Sequence, residues 1–202
     1  MFLIVGQGNP GAQYARTKHN VGFWVLDRLS SDFRSKGNAL VAEIKFQRTS
    51  GEWISGLLVK PTTFYNATGE AVVPLARFYK VPPECILVVH DELDLPPGRL
   101  RFKAGGSNAG NYGLESITTQ LGTPGFHRLR IGIGKPPTPE QGAGWVLSGF
   151  QPEPAVVMER VIQTAAEAVQ IWATEGIEAC KKRYNGLNLA VPLKPTEPEQ
   201  AS

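Results

Sequence analysis

Apolar positions along the chain follow two rhythms. Phe2 to Val5 is an unbroken apolar run stopping at Gly6, the pattern of a short strand buried on both faces. From about Asn20, Val21, Trp24, Val25 and Leu29 fall on one face at helical spacing, which predicts a helix to about Arg34. Val41 to Thr49 and Trp53 to Val59 read as strands, and Ser50-Gly51 between them suits a hairpin turn. Lys60-Pro61 stops the second strand, and a helix is predicted from about Asn66 to Tyr79. A buried strand follows at Ile86 to His90, then an alternating strand at Arg99 to Lys103. Next come a helix from about Asn111 to Leu121 and a strand at His127 to Gly134. Finally Val156, Val157, Val161, Ala165, Ala168, Val169 and Trp172 mark one face of a long helix, with Gly176 as its stop.

Strands interleaved with helices, with no repeat and no internal linker, predict a single α/β domain over residues 1–188. The expected architecture is a three-layer sandwich, a mixed, mostly parallel twisted sheet flanked by helices. Residues 189–202 carry Pro192, Pro195 and Pro198 and read as an extended, disordered tail. In such folds functional loops gather at the carboxyl ends of strands. Three loops qualify: Gly6 to Gly11, Lys60 to Asn66 and Asp91 to Gly98.

Composition narrows the classes. A chain of 202 residues, 42% hydrophobic and 19% charged, has the make-up of a globular domain with a full core. No apolar run approaches the roughly 20 residues of a membrane helix, and the first strand is not expected to be a signal peptide. Cys85, just ahead of an apolar strand, and Cys180, in a predicted helix, are far apart and read as inert thiols, and three histidines form no cluster with them. A disulfide framework and a structural metal are therefore not expected, and the cytoplasm is the expected compartment. A net charge of +3 is too mild to announce a nucleic-acid partner.

Four segments hold the candidate chemistry. Gly6-Gln7-Gly8-Asn9-Pro10-Gly11 fits a dinucleotide-binding glycine pattern after a first strand. Pro10 falls where the phosphate-binding helix should begin, however, and the acidic residue expected after the second strand is missing. Lys60 to Gly69 reads as a strand end with Asn66 as helix cap. In the third segment, His90 and Asp91 alternate along a strand and point to opposite faces, so they are a poor acid/base pair with each other. A carboxylate at Asp91 is instead placed to orient His19, fixing its tautomer and raising its basicity for attack by water. The fourth is Arg99, Arg101 and Lys103, which share one face of a strand, while Arg128 and Arg130 alternate similarly later. Such cations form either a solvated sheet face or a phosphate-binding surface.

Taken in order, these segments resemble the bacterial peptidyl-tRNA hydrolase family. The resemblance rests on Val5 to Gly11 with Tyr14, Thr17, His19, Asn20 and Gly22-Phe23, and on Lys60 to Phe64 with Asn66 and Gly69. It continues through His90 to Pro96, Gly105-Gly106, Gly113-Leu114, Ser116-Ile117 and Phe126 to Gly134. It implies hydrolysis of the ester joining a peptide to tRNA, with His19 as general base and Asp91 holding it. Asn9, Tyr14, Tyr65, Asn66 and Asn111 would bind substrate, and Lys103 and Arg130 would contact the tRNA backbone. No metal, cofactor or covalent intermediate is expected, and the protein is expected to be a monomer. Relatives that bind RNA without catalysis supply the alternative reading. The chain departs from the family at Asn111-Tyr112, where His-Asn is usual, and at Tyr65, where Met is common. Asn111 either substitutes for the family's Asn from one position earlier or simply caps the next helix.

Overall fold

The computed structural model describes residues 1–191; the expected tail beyond them lies outside the described residues. In chain order these form β1 (Phe2–Gly6), α1 (Val21–Leu29), β2 (Arg34–Lys36), β3 (Ala39–Gln47), β4 (Trp53–Pro61) and α2 (Thr68–Phe78). There follow β5 (Ile86–Glu92), β6 (Leu100–Ala104), α3 (Tyr112–Leu121), β7 (His127–Gly132), α4 (Gly142–Val146), α5 (Pro152–Glu175) and α6 (Ile177–Tyr184). Short 3₁₀ turns at Ala12–Tyr14, Lys18–Asn20 and Tyr65–Ala67 lead into the site.

One seven-stranded sheet runs β2-β3-β4-β1-β5-β7-β6. The central pairings β1–β4, β1–β5 and β5–β7 are parallel, and β2–β3, β3–β4 and β6–β7 are antiparallel. The parallel character is thus confined to the middle, where each strand is buried on both faces. Period-two alternation sorts its side chains into two cores. Ile4, Leu87 and Val89 pack with α1 and α5, whereas Leu3, Val5, Ile86 and Val88 pack with α2 and α3. The three expected layers follow directly from that sorting.

Several boundaries differ from the sequence reading. Instead of continuing to Arg34, α1 stops at Leu29, because Ser30 turns the chain by accepting from the Asp32 amide at 3.1 Å. The freed segment adds β2 at the sheet edge. The helix expected from Asn66 starts at Thr68, after a 3₁₀ turn. On α5, Val161, Ala165, Ala168, Val169 and Trp172 are buried as expected, but Val156 in its first turns is exposed. The helix expected around Cys180 is α6, whereas the sequence pattern predicts no helix at α4. The Gly142-Ala143-Gly144 start of α4 has weak helix propensity. Beyond the Gly176 stop, Ile177, Cys180 and Tyr184 pack α6 onto the core. The chain stays docked past residue 188, since the Leu189 amide donates to the Gly98 carbonyl at 2.9 Å.

Candidate active site

His19 lies in the 3₁₀ turn just ahead of α1, and Asp91 lies near the carboxyl end of β5. What brings them together is close backbone packing. A side chain at Gly22 would place its Cβ 2.4 Å from the Val89 carbonyl oxygen and 2.6 Å from the Gln7 nitrogen. Only glycine lets the start of α1 lie against the ends of β1 and β5. The turn is fixed from the other side by Lys18. Its Nζ donates to Ser148 Oγ at 2.8 Å and the Gly149 carbonyl at 2.7 Å, and sits 4.0 Å from the Trp145 ring centroid. Burial lowers the Lys18 pKa from its ordinary range.

The result is a hydrogen bond of 2.7 Å between His19 Nδ1 and Asp91 Oδ2. A carboxylate only accepts, so Nδ1 carries the proton and Nε2 presents its lone pair. The His19 side chain is 19% exposed against 4% for Asp91, which leaves the imidazole reachable and its anchor sealed. The second carboxylate oxygen, Oδ1, accepts from the Tyr65 hydroxyl at 2.7 Å. The Tyr65 ring stacks on His19 with centroids 3.6 Å apart and planes within 5°. Asn111 Nδ2 donates to that same hydroxyl at 2.9 Å, while its Oδ1 caps α3 by accepting from the Leu114 amide at 3.0 Å. Asn111 thus caps α3, as one reading expects, and its amide also reaches the cavity wall through Tyr65. Burial first, and the neighbouring Asp91 second, push the Tyr65 hydroxyl well above its ordinary pKa, so it remains a donor.

Asn9 is fixed by three bonds. Its backbone amide donates to Asn20 Oδ1 at 2.8 Å, its carbonyl accepts from Asn20 Nδ2 at 3.0 Å, and its Oδ1 accepts from the Tyr65 amide at 2.7 Å. With the oxygen occupied, the amide NH₂ is the donor this residue has left for the cavity it lines.

That cavity has a volume of about 690 Å³ and is walled by Asn9, His19, Tyr65, Asn66, Asp91 and Asn111. All three strand-end loops singled out from the sequence contribute to it. Further wall residues are Phe64 and Tyr112, which the sequence motifs contain without a substrate role, and the α4 residues Gly142, Ala143 and Val146. Phe64 and Tyr112 are exposed aromatic residues beside polar ones, a signal that could have marked them. Tyr14 does not line this cavity; it meets Phe64 edge-on at 6.4 Å. The glycine-rich loop after β1 ends in a 3₁₀ turn and no helix follows it before Val21, so the dinucleotide geometry is not formed.

Lys103 and Arg130 lie outside the cavity, on the α3 side of β6 and β7. Register places Arg101 beside Arg130, which lies beside His90, and Lys103 beside Arg128. Arg130 approaches Glu92 at 3.8 Å. Arg128 is buried at 1% exposure, 4.4 Å from the Phe126 ring centroid. It donates to Gly106 O at 3.1 Å and Asn108 Oδ1 at 3.0 Å, holding the 105–111 loop between the cationic strands and the cavity. Burial lowers its pKa to about 10.

A reachable imidazole whose other nitrogen is clamped by a carboxylate, at the strand ends of an α/β sheet, is the arrangement of a general-base hydrolase. The sequence model described as Peptidyl-tRNA hydrolase matches residues 3–192. The peptidyl-tRNA hydrolase of Thermus thermophilus is 61% identical over 95% of this chain and 100% of that protein. Its counterpart from Nitratidesulfovibrio vulgaris is 45% identical over 91% of this chain and 96% of that protein. The crystal structure of peptidyl-tRNA hydrolase from Acinetobacter baumannii superposes with a TM-score of 0.85 at 34% identity, covering 94% of this chain and 96% of that one. The chain belongs to the peptidyl-tRNA hydrolase family.

Proposed function

We propose a division of labour for the peptidyl-tRNA hydrolase activity that this membership brings. His19 Nε2 takes a proton from a water molecule as the water oxygen attacks the ester carbonyl carbon. Asp91 holds the ring and stabilises the imidazolium. The tetrahedral intermediate then expels the ribose oxygen, which takes the proton back from Nε2, leaving free peptide and intact tRNA. General-base assistance of this kind typically contributes about 10²–10⁴-fold. Asn9 supplies an amide donor to the developing oxyanion, worth about 3 kcal/mol where such a donor is fixed in place. Its three hydrogen bonds support that assignment. Asn66, exposed and on the cavity wall, binds the peptide backbone. Tyr65 and Asn111 shape the same wall, and Tyr14 braces it through Phe64.

Lys103 and Arg130, with Arg101 beside them, bind the tRNA backbone as point charges. Their shared sheet face and the Arg128-held loop running from it to the cavity support this reading. Among the described residues no helix is long and apolar enough to cross a membrane. The same reading takes the protein as a monomer in the reducing cytoplasm, where unpaired thiols such as Cys85 and Cys180 persist.

The observation that carries the reading is the 2.7 Å His19–Asp91 bond with Nε2 left free at the cavity. It is tested by release of an N-acetylated amino acid from its tRNA, with unblocked aminoacyl-tRNA as control. Cleavage of the blocked substrate alone, lost in His19→Ala, is the expected result. Tight tRNA binding without cleavage by the native chain would replace this reading with RNA binding.

A further inference from the structure

Four hydrogen bonds converge on the Asp91 carboxylate, three running from the Leu114 amide through Asn111 and Tyr65 and one arriving from His19, and each direction is forced by chemistry. The Leu114 amide can only donate, so Asn111 presents Oδ1 to it and turns Nδ2 toward Tyr65. The Asp91 carboxylate can only accept, so the Tyr65 hydroxyl donates to Oδ1 and His19 Nδ1 donates to Oδ2. No member has an alternative tautomer or amide flip that keeps all four bonds. The N-terminus of α3 is thereby connected through two side chains to the anchor of the imidazole, and the same tyrosine ring covers one face of that imidazole. Glycine at 113 makes this possible, since a Cβ there would sit 2.8 Å from the Tyr65 carbonyl oxygen and 2.2 Å from Gln7 Nε2.

We infer that Tyr65 and Asn111 form a positioning relay that fixes the Asp91 carboxylate and sets how strongly it holds a proton on His19. The inference rests on the proposed roles of His19 and Asp91 and deepens them. A phenol donating to Oδ1 draws charge away from the carboxylate, so Asp91 grips the imidazolium less tightly than a bare carboxylate would. Asn111, by donating to the phenol oxygen, strengthens the phenol as a donor, because linked hydrogen bonds polarise one another. Stacking limits ring rotation, and the paired carboxylate oxygens limit carboxylate rotation. Nε2 is then held on one line into the cavity.

The test is Tyr65→Phe, which keeps the ring on His19 and removes only the hydroxyl. We expect kcat on N-acetyl-aminoacyl-tRNA to fall about tenfold, the value of one hydrogen bond to a charged group, with KM unchanged. The acidic limb of the kcat/KM profile should move to higher pH, because the relieved carboxylate holds the imidazole proton more tightly. Asn111→Ser retains a capping oxygen but not the amide donor. It should lower kcat by about threefold in the native background and leave it unchanged in Tyr65→Phe, as members of one relay must. Imidazole nitrogen resonances of the free protein should show one His19 tautomer in the native chain and a mixture in Tyr65→Phe. Unchanged resonances and an unmoved acidic limb would overturn the relay, as would a raised KM with intact kcat, which would make Tyr65 a substrate contact only. Because the resonances need no turnover, an inactive native chain would sink the hydrolytic roles and leave the relay to be decided separately.

Discussion

His90 and Asp91 are consecutive residues of β5, and the sheet sends their side chains to opposite faces with opposite consequences. On the Asp91 face, α1 begins against Val89, two residues before Asp91, and a cavity opens at the strand end. The carboxylate there serves an imidazole that reaches solvent. On the α3 face, His90 is 1% exposed, with Arg130 beside it in register. Its Nδ1 donates to the Asp91 carbonyl at 2.8 Å, and burial, reinforced by Arg128 and Arg130, depresses its pKa from 6.5 to about 4. His90 is therefore neutral at physiological pH and has no route to substrate. His90 neighbours Asp91 in sequence and His19 bonds to it across the fold, and packing alone leaves one imidazole open to the cavity and seals the other. Adjacency to a carboxylate in sequence is thus a poor guide to catalytic function; the side of the sheet decides.

That contrast can be broken most strongly on the open face. His19→Ala should reduce turnover by about 10²–10⁴-fold, with thermal stability and tRNA affinity nearly retained. His90→Asn in the same assay should keep most of the activity, so comparable losses in both variants would erase the distinction. On the closed face the expected effect is on stability. The neutral form of His90 is favoured in the folded state, so its contribution is complete above pH 6.5. It is lost as pH falls toward about 4, where the folded protein also takes up the proton. The full change is about 3 kcal/mol. Denaturant unfolding between pH 7 and 4 should therefore be steeper for the native chain than for His90→Asn, and parallel curves would show that His90 is not buried neutral.

A smaller effect is expected where α1 meets the strand ends. Gly22→Ala must displace backbone by several tenths of an ångström and should cost about 1–3 kcal/mol. It should also lower kcat, because His19 moves with α1; a stability loss with unaltered kcat would detach the imidazole's placement from this contact. The smallest effect belongs to the cationic strands. Lys103→Ala with Arg130→Ala should weaken tRNA binding and lower its salt slope by about one for each charge removed. An unchanged slope would move the tRNA backbone to another surface.

The layered α/β arrangement was legible because hydrophobic period is a local property. The buried runs Phe2 to Val5 and Ile86 to His90, and the apolar face of α5, each announce their element without reference to the rest of the chain. The alternation at Arg99 to Lys103 likewise told which side chains share a face. Residues with little apolar periodicity were not legible. Examples are the three-residue edge strand β2 and the glycine-rich α4, which are ordered by the surfaces they dock on.

At the site the division is similar. His19, Asp91, Asn9, Asn66 and Asn111 could be named from residue type, loop position and resemblance, because chemistry restricts which side chains can act as base, anchor or amide donor. Sequence alone did not say that Asn111 would serve both α3 and Tyr65, or that the Tyr65 hydroxyl would reach Asp91. Nor did it say that Arg128 would be buried while Arg130, two residues on, stays partly exposed. Those outcomes depend on distances of 2.7–3.0 Å between residues up to 46 positions apart. Hydrogen bonds lose their value within fractions of an ångström, so only the packed backbone, with glycines at 22 and 113 allowing close approach, decides which of them form.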